Sequence, residues 1–162
     1  MKAFTDFVIG SSRTLYVVAG VALNAMVFLT GADVVLRYLN RPITGTYELV
    51  GLLGAVVIGF SIPQTSRLKA HVLMDFLTSR LAPRVQGVLY RLTRALGIIL
   101  FLIITWNVLV LGDRYRTLRE ATLVLQVPLY PVAYGIAVSC FIECLVLFID
   151  LVTADHEKKG EA

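Results

Sequence analysis

Hydrophobic and polar positions in this chain segregate on the scale of whole segments. Four long apolar stretches, Leu15 to Leu36, Glu48 to Ser66, about Ala95 to Gly112, and Leu129 to Val152, are separated by charged connectors. Each is roughly 18 to 24 residues long, which is what a helix rising ~1.5 Å per residue needs to cross a hydrocarbon layer of ~30 Å. Lipid offers the backbone no hydrogen-bond partner, and a helix is the one local structure that satisfies all its amides within a single apolar run. The pattern therefore predicts an all-α integral membrane protein with four transmembrane helices. They form one membrane domain over residues 1–152, followed by a short polar tail over 153–162 that is expected to fray.

The connector between the second and third stretches has a pattern of its own. Val72, Leu73, Phe76, Leu77 and Leu81 make an apolar stripe, with Asp75, Thr78, Ser79 and Arg80 on the other side, which predicts a short amphipathic helix lying at the membrane interface. Pro83 then suits the first turn of a new helix, and Val85, Leu89, Leu92 and Leu96 continue at helical spacing. The third helix is thus expected to begin well before the hydrocarbon.

Composition agrees with a membrane location, since 57% of the 162 residues are hydrophobic and only 16% are charged. An apolar run preceded by Lys2 and Arg13 also resembles a signal peptide, but it is too long, and Gly31-Ala32-Asp33 is a poor cleavage site, so a retained first helix is expected. The formal net charge of +4 is not a nucleic-acid signature. Arg67, Lys69, Arg80, Arg84, Arg91 and Arg94 concentrate in the middle connector, and Lys and Arg flank both ends of the chain. Positive charge marks the cytoplasmic side, so both termini and the middle connector are expected inside, with membrane lipids as partners of the basic residues. Tyr38, Tyr47, Tyr115, Tyr130 and Tyr134 gather at the opposite ends, as an interfacial belt does.

Small residues mark helix-packing faces. Gly51, Ala55 and Gly59 recur at every fourth position, and Gly135, Ser139 and Glu143 do the same on the fourth stretch. Either face fits a contact within the chain or with a partner subunit. Glu143 falls within about three residues, ~4.5 Å of rise, of the middle of its span, where a lipid-facing charge costs at least about 2 to 3 kcal/mol. It is expected to face protein or to carry a proton, with Asn24 or Asn107 as a polar partner; its role is helix packing or, alternatively, ion or proton coupling or a polar contact to a second subunit. Cys140 and Cys144 read as packing residues. Two histidines, His71 and His156, do not make a zinc or haem set, and no nucleophile elbow or phosphate-cradling loop is present. No enzyme and no cofactor is predicted.

Three ordered segments carry a resemblance. Arg37-Tyr38, Asn40, Pro42 and Glu48-Leu49 bridge the first two helices; His71-Val72 with Asp75 follows the second; Leu125-Gln126-Val127-Pro128-Leu129-Tyr130 with Tyr134 leads into the fourth. Together they resemble the small membrane subunit, the Q component, of tripartite ATP-independent periplasmic (TRAP) transporters. Thr46-Tyr47 before Glu48, and Tyr130 where that family often has Trp, are departures from its pattern.

The resemblance implies a bacterial inner-membrane protein that pairs with a large multi-span permease subunit. It implies a bracing role while that subunit carries sodium ions and a carboxylate-containing solute delivered by a periplasmic solute-binding protein. On this reading Arg37 and Glu48 form a hairpin-closing ion pair or a docking point. His71 and Asp75 hold the interfacial helix or contact a partner. Arg114, Arg116, Arg119 and Glu120 form a docking surface for the delivery protein or a solvated loop. Two other classes share the apolar pattern: a self-contained four-helix carrier working as a homodimer, and a structural subunit of another membrane complex.

Overall fold

The computed structural model describes residues 2–78 and 83–160, with side chains over 5–66, at 89 and over 91–152. Four helices follow one another: α1 (Lys2–Tyr38), α2 (Thr46–Thr78), α3 (Pro83–Leu118) and α4 (Tyr130–Gly160). All four are long and apolar enough to cross a membrane. Each outruns its apolar stretch. α1, with 37 residues, is about 55 Å long, well beyond the hydrocarbon thickness.

The ends of the helices follow local chemistry. α3 opens on Pro83, as its pattern predicts, and α4 carries Pro131 in its first turn, where a missing N–H costs nothing. α1 and α3 close in the same way. Asn40 and Arg119 take left-handed backbone conformations, with φ of 57° and 52°. Arg41 N–H then donates to the Leu36 carbonyl at 2.9 Å, and Glu120 N–H to the Tyr115 carbonyl at 3.0 Å, so carbonyls of the last turn are satisfied before the chain reverses. The backbone of α2 runs without a break to Thr78, so residues 72–78 are helical but continuous with α2, where the sequence suggested a separate element. The polar segment after Val152 likewise continues α4 as helix to Gly160.

The helices lie in a row. α3 packs along α4, α4 along α2, and α2 along α1, with a smaller contact between α1 and α4. Burial singles out α4, the helix that touches all three others, since 44% of its most apolar window is buried against 11% in each of the rest. The core is accordingly narrow and rich in small side chains, Ala19 and Ala22 on α1 and Ala133, Ala137, Cys140 and Cys144 on α4, beside Val8, Val146 and Leu147. Small residues let membrane helices gain dispersion contacts where lipid supplies no hydrophobic drive. Large apolar residues such as Phe28, Ile99 and Trp106 point outward instead. The loops over residues 39–45 and 119–129 meet at one end of the row, here called the loop end; the start of α1 at Lys2 and the end of α4 at Gly160 lie toward the other, here called the terminal end.

Candidate functional site

Two clusters of polar groups stand out, one where α2 crosses α4 and one at the loop end. The first is created by Pro63, which is fully buried inside α2. A proline has no N–H, so the carbonyl four residues earlier, that of Gly59, loses its helical donor. Ser139 on α4 supplies a replacement: its hydroxyl donates to the Gly59 carbonyl at 2.7 Å in a buried contact. Glycine on both sides lets the helices approach this closely. A Cβ on Gly59 would lie 2.8 Å from Ile136 Cγ1, and one on Gly135 would lie 2.9 Å from Phe60 Cζ. Gly51, by contrast, has open space around the position of a Cβ and is exposed, and Ala55 is half-buried. The small-residue stripe of α2 is thus split between a face turned to α4 and a face left uncovered.

Glu143 lies one turn beyond Ser139 and is 0% exposed. Neither carboxyl oxygen has a hydrogen-bond partner. The two asparagines expected as its partners lie elsewhere. Asn24 is exposed and donates to the Gly20 carbonyl of its own helix at 2.9 Å, and Asn107 is exposed and donates to that of Ile103 at 2.8 Å. An amide that reaches back to the carbonyl four residues earlier satisfies itself without a neighbouring helix.

Toward the terminal end the row is tied by two further contacts that the sequence reading missed. Arg94 on α3 pairs with Asp150 on α4 at 3.3 Å, and Ser12 on α1 donates to Gln64 on α2 at 3.1 Å. Asp150 lies seven residues from Glu143, hence on the same helical face. That spacing was the available signal.

The loop end is held by carboxylates. Asp33 accepts from Arg37 at 2.8 Å and from the Ile43 amide at 3.0 Å, which folds the loop over 39–45 back onto α1. Arg37 also stands 5.8 Å from the centre of the Tyr47 ring. Glu48, in the first turn of α2, accepts from the backbone amides of Val124 and Leu125 at 2.8 and 3.0 Å. The expected Arg37–Glu48 pair is therefore not formed: the guanidinium takes the carboxylate one turn back on its own helix, and Glu48 clamps the loop between α3 and α4. Gly45, with φ of 82°, makes room for that clamp, because a Cβ there would sit 2.6 Å from Leu125 Cγ. Tyr134 completes the tie by donating its hydroxyl to Asp113 on α3.

Arg114, Arg116, Arg119 and Glu120 are all exposed beside this loop. Leu123 at its tip is 90% exposed and Tyr38 nearby is 89% exposed. His71 and Asp75 have helical backbone in α2, and their side chains lie outside the described residues. Among the described residues, no three His, Cys, Asp or Glu gather as a metal would need.

The sequence pattern of the tripartite ATP-independent periplasmic transporters, DctQ component, matches residues 26–156. The chain belongs to this family. The match runs from the middle of α1 into the polar end of α4, so it covers the α2–α4 crossing, Glu143 and both clamps of the loop end. Membership makes the protein a small permease subunit of a transporter and gives its four apolar helices a membrane setting. No curated protein and no solved structure gave a match.

Proposed function

We propose that this chain is the brace of a heteromeric TRAP transporter in the bacterial inner membrane. It would hold the stationary part of a large multi-span permease subunit while that subunit carries sodium ions and a carboxylate-containing solute delivered by a periplasmic binding protein. The loop end faces the periplasm and the termini face the cytoplasm, in keeping with the concentration of Lys and Arg in the middle connector and at both ends of the chain. The observation that carries this reading is the sealed crossing of α2 and α4 within an open row of helices. Close glycine contacts and the Ser139–Gly59 hydrogen bond shut the centre, and the one carboxylate near mid-span is wholly buried. A carrier needs a midplane site that opens to each side in turn, often on a broken helix. Here the centre is fixed, and the exposed apolar flanks of α1 and α3 offer contact area to another subunit.

The basic rim made by Arg114, Arg116 and Arg119 supports a second role, transient docking of the binding protein, because an exposed charged surface steers encounter more than it adds affinity. The amphipathic stretch over 72–81 is assigned to the cytoplasmic interface on its sequence pattern, with His71 and Asp75 at that level. The test is reconstitution into vesicles under an inward sodium gradient. Uptake is expected only when this chain, the large subunit and the loaded binding protein are all present. Uptake by this chain alone would replace the brace with a self-contained carrier.

A further inference from the structure

Glu143 has a feature that a brace does not require. Its side chain is among the largest fully buried ones in the protein, it lies near the middle of a membrane-spanning helix, and neither oxygen accepts a hydrogen bond. An ionised carboxylate depends on several donors to replace the water it has lost. Among the described residues, the nearby hydroxyls of Ser139 and Ser12 are given to other acceptors, and the two cysteine thiols are weak donors. Ser139, one turn before it, gives its proton to Gly59, and Ser12 on α1 gives its own to Gln64 on α2. The thiol of Cys144 faces the Ile98 carbonyl of α3 at 3.9 Å, and Cys140 is buried as a free thiol. The charged groups that bear on the carboxyl, Arg94 of α3 and Asp150 of α4, are seated against each other at 3.3 Å, about two turns nearer the terminal end, and Ser66 of α2 also borders it.

We propose that Glu143 is a proton-binding site, occupied by a proton and held as a neutral carboxylic acid inside this chain. Neutralisation removes the charge that hydrocarbon disfavours and leaves a single O–H to place instead of two ionised oxygens to solvate. A bare cation is the other candidate occupant. It would need a shell of several ligands, and among the described residues no three His, Cys, Asp or Glu side chains gather to help supply one. The acid faces the α2–α4 core and is fully covered by this chain, so the assignment holds whatever partner covers the flanks and whatever solute is carried.

Infrared difference spectroscopy tests this on the full-length chain extracted with its co-assembling subunits. At neutral pH, subtraction of the Glu143→Gln spectrum from the wild-type spectrum is expected to show one carboxylic-acid carbonyl band, shifted by deuterium exchange, with no loss of carboxylate absorbance. Addition of sodium chloride should leave the band in place. Loss of a carboxylate band in Glu143→Gln would overturn the proposal, and so would conversion of the acid band to carboxylate on adding sodium. Glu143→Asp keeps the acid and supplies a second difference spectrum if the glutamine variant fails to assemble: a shifted acid band supports the assignment, and a shifted carboxylate band contradicts it.

Discussion

Removing the Ser139 hydroxyl tests how α2 and α4 are locked. In an ordinary helix the Gly59 carbonyl would accept from residue 63, and Ser139→Ala would cost little, since interhelical hydrogen bonds in membranes average about 0.6 kcal/mol. Pro63 changes the arithmetic. The carbonyl is buried, it has no helical donor, and Ser139 reaches it at 2.7 Å. Loss of the hydroxyl leaves a buried acceptor bare, a penalty of about 1 to 3 kcal/mol, and a figure of about 1.5 kcal/mol fits the membrane maximum of roughly 1.7 kcal/mol. The decisive assay is a double-mutant cycle read by equilibrium unfolding in mild detergent. Ser139→Ala alone should destabilise by about 1.5 kcal/mol, and in a Pro63→Ala background, where residue 63 again donates, by about 0.5 kcal/mol or less. Equal costs in the two backgrounds would refute the idea that Ser139 replaces the donor that proline removes.

Three further outcomes follow from the contacts at the two ends. Gly45→Ala should push Leu125 outward and strain a backbone held at φ of 82°, so that the amides of Val124 and Leu125 exchange with solvent at least about tenfold faster, a loss of ~1.4 kcal/mol or more of local protection, while the α2–α4 crossing is unchanged; unaltered exchange at both amides would show that Glu48 does not clamp the loop. Arg94→Ala strips Asp150 of its partner in a half-buried setting and should lower unfolding stability by about 1 to 3 kcal/mol, with Arg94→Lys recovering part of it; no change in thermal unfolding would remove this pair from the account. Reversing the charges of Arg114, Arg116 and Arg119 should raise the apparent KM for delivered solute several-fold with kcat unchanged, and an unaltered KM would dispose of the docking role.

What the sequence made legible divides along a physical line. Four spans could be read because length and apolarity are properties of a single segment, and Pro83 announced the start of α3 because proline acts on its own turn. Neighbour choice is not such a property. Gly51, Ala55 and Gly59 declared a small-residue face, but only packing revealed that Gly59 meets Ile136 while Gly51 meets nothing. Nor could spacing alone pair Ser139 with the carbonyl that Pro63 leaves free, although the proline's consequence four residues back was calculable.

Arg37 and Glu48 were joined by nearness in the chain, yet Asp33, one helical turn from Arg37, had the shorter reach and the fixed geometry. Glu48 was left to find donors in a loop 76 and 77 residues away, which no local pattern encodes. Midplane polarity was a sound reason to notice Asn24 and Asn107, but an asparagine can satisfy itself on its own helix, whereas a carboxylate such as Glu143 has no donor to do so with.

The central claim, that this chain serves as the fixed partner of a larger permease, is tested most directly by stoichiometry. The chain carries a tag in its native host, the membranes are extracted in mild detergent, and the purified material is resolved by mass spectrometry for identity and amount. A large multi-span permease recovered at about one copy per copy of this chain is the predicted result. Recovery of this chain alone, or as a dimer of itself, would contradict the account.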